Sequence, residues 1–68
     1  MAVRQYQVVV DGELSDDVIV AFKGMKLVRN EGNTILVGPF RDQAELRGLL
    51  TRISDLGLTL VSAKRLDE

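Results

Sequence analysis

GPFRDQAELRGLLTRISDLGLTLVSAKR, residues 38–65, contains the one long helix pattern of the chain and the strand that should follow it. Asp42 can accept from the first free backbone N–H groups, and Glu45, three places on, completes a capping box. Leu46, Leu49, Leu50, Ile53 and Leu56 then recur at helical spacing, with Gln43, Glu45, Arg47, Arg52 and Asp55 on the other side. Gly57 supplies the left-handed stop, and Leu58-Thr59-Leu60-Val61 reads as a strand packed under the helix. Gly48 sits mid-helix at a cost of about 1 kcal/mol against alanine. Close approach of the helix to its neighbours is the expected reason, and a groove for a partner chain is the functional alternative.

Upstream, Tyr6 to Val10 is a strand by composition, ended by the turn Asp11-Gly12-Glu13. Ser15 suits an N-cap, and Asp16 and Asp17 suit the positive end of a helix. A short helix is expected from Asp16 to Lys23, stopped by Gly24. Its run Val18-Ile19-Val20 is β-branched and helps a helix little, so a strand there is the alternative. Met25 to Arg29 reads as the second strand, Asn30-Glu31-Gly32-Asn33 as a hairpin turn, and Thr34 to Val37 as the third strand, closed by Gly38-Pro39. Residues 65–68 read as a frayed tail.

Gly24-Met25-Lys26-Leu27-Val28 and Gly57-Leu58-Thr59-Leu60-Val61 share one layout, a helix-ending glycine followed by a strand. Two such halves give βαββαβ, so the expectation is an α+β, ferredoxin-like domain spanning residues 1–68. In it two helices cover one face of a four-stranded antiparallel sheet. Sixty-eight residues leave no room for a second domain. A domain of this size buries only about 60% of its unfolded surface and gains from association.

The composition excludes several chemistries. Nine basic against ten acidic residues give a net charge of −1, which argues against binding nucleic acid or anionic lipid by bulk charge. Without cysteine or histidine there is no thiolate chemistry, and the commonest general base and zinc ligand are missing. No cofactor is implied, and the expected class is non-enzymatic. The first residues lack an apolar signal core and no apolar run approaches membrane-spanning length, so a cytoplasmic protein is expected. Glu13, Asp16 and Asp17 form an acidic cluster best explained by the helix dipole rather than by a metal. Arg41 precedes the long helix, and Arg47 and Arg52 lie about 140° apart around it, so the three form no clean phosphate-binding stripe. Tyr6 alone is too little aromatic surface for an RNA-stacking sheet.

The segment from Gly38 to Ser62, with Asp42-Gln43-Ala44, Leu46, Gly48-Leu49-Leu50, Arg52-Ile53 and Asp55-Leu56-Gly57-Leu58 at its centre, resembles a family of short uncharacterised actinobacterial proteins. Their C-terminal half reads roughly D-Q-A-x-L-H-G-L-L-x-R-I-x-D-L-G-L-x-L. Arg47 stands where that pattern usually has histidine. The resemblance implies a fold and no activity. The Leu56-Gly57-Leu58 joint and the layout are also similar to ACT regulatory domains, which often bind an amino acid at such a joint, though there it closes the first helix.

With Val8, Val10, Leu27, Ile35, Val37, Leu58 and Leu60 taken as facing the helices, the other face carries Gln7, Val9, Val28, Thr34, Leu36, Thr59, Val61 and Ala63. Such a half-apolar face marks an association surface. The expected function is therefore a regulatory or adaptor module that associates with itself, as a homodimer, or with another protein. Val9, Val28, Leu36, Val61 and Ala63 are its interface. The alternative is a sensor of a small ligand, an amino acid or nucleotide, bound near Asp11, Gly12 and Glu13 or across a dimer cleft.

Overall fold

The computed structural model describes residues 3–22 and 24–66, Ile19 and Ala21 by their backbone alone. Lys23, and with it the expected end of the first helix, lies outside the described residues, as do Asp67 and Glu68. The chain is α+β. In order come β1 (Arg4–Asp11), α1 (Asp16–Ile19) with a 3-10 turn (Val20–Phe22), β2 (Lys26–Asn30), β3 (Asn33–Phe40), α2 (Gln43–Asp55) and β4 (Leu60–Arg65). The four strands make one open sheet in the order β2-β3-β1-β4, every neighbouring pair antiparallel.

α2 starts and stops where its sequence says. Asp42, extended at φ −155° and ψ 177°, accepts the Glu45 N–H at 3.0 Å. The Glu45 carboxylate reaches back one residue past the cap, accepting from the Arg41 backbone N–H at 2.7 Å and from Arg41 Nε at 3.0 Å. At the far end Gly57 takes φ +76°. Its N–H donates to the Ser54 carbonyl and the Leu58 N–H to the Ile53 carbonyl, both at 3.0 Å, which satisfies two carbonyls the last turn would otherwise leave open. Leu49 and Ile53 are buried, and Leu46, Leu50 and Leu58 pack beside them. Leu56, the last apolar residue of the stripe, is instead 44% exposed.

The core is one cluster: Val8 and Val10 of β1, Leu36 and Phe40 of β3, Leu14, Phe22, Leu49 and Ile53. Both helical segments therefore contribute to the same side of the sheet. Phe22 is buried as the end of the 3-10 turn, and Tyr6 meets Phe40 edge-to-face at 5.7 Å. That contact turns Tyr6 toward the helices.

The first helix is shorter than its caps suggest. Only Asp16–Ile19 is α-helical before the chain tightens into the 3-10 turn. Val18-Ile19-Val20 loses side-chain freedom in a helix and supports no further turn. Ser15 holds the N-cap position without a side-chain hydrogen bond. Gly24 nevertheless takes φ +86°, close to Gly57, and Met25 and Leu58 both pack against the core one residue later. The internal repeat thus holds at its two joints.

β3 departs from expectation in length and in phase. The hairpin turn narrows to Glu31 and Gly32, both at positive φ, and Asn33 already pairs with Asn30. At its other end β3 runs through Gly38 and Pro39 to Phe40, opposite Tyr6, Gln5 and Arg4. Gly38 is buried beneath Met25, whose Cγ would lie 2.9 Å from an added Cβ. Thr34 and Leu36 are wholly buried on the helix side, so Ile35 and Val37 face away, the reverse of the predicted alternation. β4 begins at Leu60, not Leu58, and continues to Arg65, while the Leu66 N–H donates to the Gln5 carbonyl at 2.8 Å. Residues 65 and 66 are therefore docked rather than frayed.

Candidate functional site

The face of the sheet turned away from the core is built by cross-strand register. Val28 lies across from Ile35, Ile35 from Val9, and Val9 from Ser62, forming one row over all four strands. The next row is Lys26, Val37, Gln7 and Lys64, and on the other side lie Asn30, Asn33 and Asp11. Val9, Ile35 and Val37 are half-buried, and Val28 is 54% exposed. An apolar centre is thus bounded by two lysines at one end and by two asparagines and an aspartate at the other.

Of the five residues expected at an interface, two stand together here. Val9 and Val28 flank Ile35. Leu36 does not belong: it is 0% exposed and pairs with Val8 in the core. Ala63 also pairs with Val8, which puts it on the helix side. Val61 is the extra residue where the β1–β4 register shifts between Val9 and Val10, and it is exposed on the outermost strand. Ile35 and Val37 were missed with the phase of β3. The signal that could have found them is Phe40, an aromatic in the same alternate set of β3 as Thr34, Leu36 and Gly38.

The turn proposed for a ligand spends its polar groups within the chain. The Gly12 N–H donates to the Gly32 carbonyl at 2.7 Å, and the Gly12 carbonyl accepts from the Thr34 hydroxyl at 2.8 Å. A Glu13 carboxylate oxygen accepts from the Gly32 N–H at 3.3 Å, and the Asp11 N–H donates to Thr59 at 2.8 Å. Asp11, Gly12 and Glu13 therefore clamp the β2–β3 hairpin and the residue before β4. Asp16 likewise pairs with Arg29 at 3.0 Å, and Arg29 Nε donates to the Leu14 carbonyl at 3.0 Å. The acidic cluster ties α1 to β2 as well as facing a helix start. Among the described residues no group of three or more His, Cys, Asp or Glu gathers to hold a metal ion, and no helix is long and apolar enough to cross a membrane.

On the helix side a groove of about 410 Å³ opens between α2 and the connection into β2. Phe22, Phe40 and Leu49 are its buried residues, Met25 stands above Gly38, and Gly48 and Arg52 line it from the helix. An added Cβ on Gly48 would meet nothing within 4 Å. Gly48 is therefore not a point of close approach; it borders open space.

A family model described as a domain of unknown function (DUF8691) matches residues 5–64. No curated protein and no solved structure matches the chain.

Proposed function

This chain belongs to the DUF8691 family, and we propose that it is a ferredoxin-like association module, working as a homodimer through the uncovered face of its sheet in a regulatory or adaptor role. The strand order, read from the β4 edge, is 4-1-3-2 with every neighbour antiparallel, which supports two interleaved strand-helix-strand halves.

The observation that carries association is the row Val28–Ile35–Val9 with Val37 beside it, apolar and left without a covering layer among the described residues. Sheets that bury such faces pack about 10 Å apart with side chains interdigitated. The charges select the geometry. A two-fold axis along the strands would stack the Lys26/Lys64 row on its own copy, whereas an axis across them sets that row over the partner's Asp11 row. A second copy also extends the core of a chain too small to bury much surface alone.

Light scattering coupled to size exclusion, run over a dilution series, tests this. Dimer mass at high concentration and monomer mass for Ile35→Lys, with unchanged far-ultraviolet circular dichroism, is the expected result. A monomer at every concentration, or an Ile35→Lys variant that still dimerises, refutes it.

A further inference from the structure

β2 is the outer strand on one side of the sheet, and all its residues but Leu27 are exposed. The two-residue turn at Glu31-Gly32 makes Asn30 and Asn33 a hydrogen-bonded pair. Alternation then points the backbone groups of Lys26, Val28 and Asn30 at β3, and those of Leu27 and Arg29 outward. The far side of the sheet fixes the same parity. There the Asp11 N–H and the Gln5 carbonyl bond to Thr59 and Leu66, which leaves Val8 and Val10 to bond β3. Among the described residues no turn, loop or side chain bonds the Leu27 or Arg29 backbone. β4, the other outer strand, slips register against β1, whereas β2 stays in step with β3 throughout. An edge of this kind is a template for another strand.

The β2 edge is complementary to itself. With two copies antiparallel and centred on Val28, Leu27 exchanges both bonds with the partner's Arg29, and Arg29 with the partner's Leu27. Centring on Leu27 uses that residue alone, because the Met25 N–H already donates to the Phe22 carbonyl. Centring on Arg29 sets like charges directly opposite. In the Val28 register Lys26 faces the partner's Asn30, and no two charges meet.

We infer that β2 pairs with β2 of a second copy about an axis at Val28, joining two face-to-face dimers into a closed tetramer. The inference rests on the face pairing proposed above. There the axis across the strands lies over the Val28–Ile35–Val9 row, since it exchanges the Lys26 row with the Asp11 row on either side. It also leaves both β2 strands at one end of the dimer. The edge axis stands at the end of that same row, so the two axes meet at right angles and the assembly closes. Val28 meets its own copy, and the apolar row runs on from one chain into the next. A single edge contact is short, so it follows face pairing, when two dimers can make it twice at once.

Sedimentation equilibrium of the full chain, carried to about 1 mM, tests the assignment. Dimer mass rising to tetramer mass is expected. Arg29→Pro removes an outward N–H and no bond to β3, and should hold the mass at dimer. Arg29→Ala loses the same side-chain ties to Leu14 and Asp16 but keeps the N–H, and should still reach the tetramer. Hydrogen exchange at the Leu27 and Arg29 amides should slow at least about fivefold between dimer and tetramer concentrations. That measurement needs no variant, so the test stays decisive should Arg29→Pro fail to fold. A mass that stops at dimer, a tetramer that survives Arg29→Pro, or unchanged exchange at those amides overturns the inference. A dimer that stops there and is lost in Ile35→Lys leaves the face pairing standing. A monomer at every concentration removes both. A dimer that survives Ile35→Lys but not Arg29→Pro refutes the face pairing, and the tetramer with it.

Discussion

The buried hydroxyl of Thr34 accepts a hydrogen bond from the backbone N–H of Leu14 at 3.0 Å. The same hydroxyl donates to the Gly12 carbonyl, so a single side chain on β3 satisfies both ends of the turn leaving β1. Thr34→Val keeps the shape and leaves a buried donor and an acceptor unmatched. A loss of about 1–3 kcal/mol is expected in urea unfolding. Thr34→Ser, which retains the hydroxyl, should lose less. Equal losses would assign the effect to the methyl group instead.

Leu36 and Ile35 are neighbours in sequence with opposite fates. Leu36→Ala opens a cavity in the core and should destabilise by about 2–5 kcal/mol. Ile35→Lys should leave the monomer folded and remove self-association. Measuring stability and mass for both variants separates the two sides of the sheet, and interchanged outcomes would mean that β3 is shifted by one residue.

The N-terminal cap of α2 responds to acid. Bonding to the Arg41 backbone N–H, and then to its side chain, holds the Glu45 carboxyl below its ordinary value. A lowered folded-state value means the stabilisation is present above the unfolded carboxyl's range and lost as pH falls through the folded value. Comparing unfolding midpoints at neutral pH and at about pH 3, Glu45→Gln should flatten part of the acid-side decline. Asp42→Ala, which removes the cap acceptor, should cost about 1 kcal/mol at neutral pH.

Gly48→Ala should stabilise the chain by about 1 kcal/mol, because α2 gains a better helix former and nothing stands within 4 Å of the new methyl. Thermal unfolding reads this directly. A destabilised variant would mean that position 48 is packed after all.

How much could be read beforehand differs between the two halves. α2 was legible because its signals are redundant: Asp42, Glu45, the leucine spacing and Gly57 all specify one helix. The joints at Gly24 and Gly57 were legible for the same reason. β3 was not. Thr34-Ile35-Leu36-Val37 is compatible with a strand in either phase, since both alternate sets hold apolar residues, and a one-residue shift exchanges the faces. What fixes the phase is tertiary: the two-residue turn at Glu31-Gly32 and the demand of Leu14 and Gly12 for the Thr34 hydroxyl. With that phase went Leu36, and the open face could be placed only through Val9 and Val28. The groove was hidden because its walls come from distant segments, although Gly48 marked one of them.

The shifted register between Val9 and Val10 has a consequence for growth. β4 carries one residue more than its neighbour at that point, so the outermost rim is locally out of step. A molecule arriving sideways would find few backbone groups in sequence to zip onto, and fibre-like extension stalls there. The β2 edge carries no such shift, so this protection belongs to the β4 side alone.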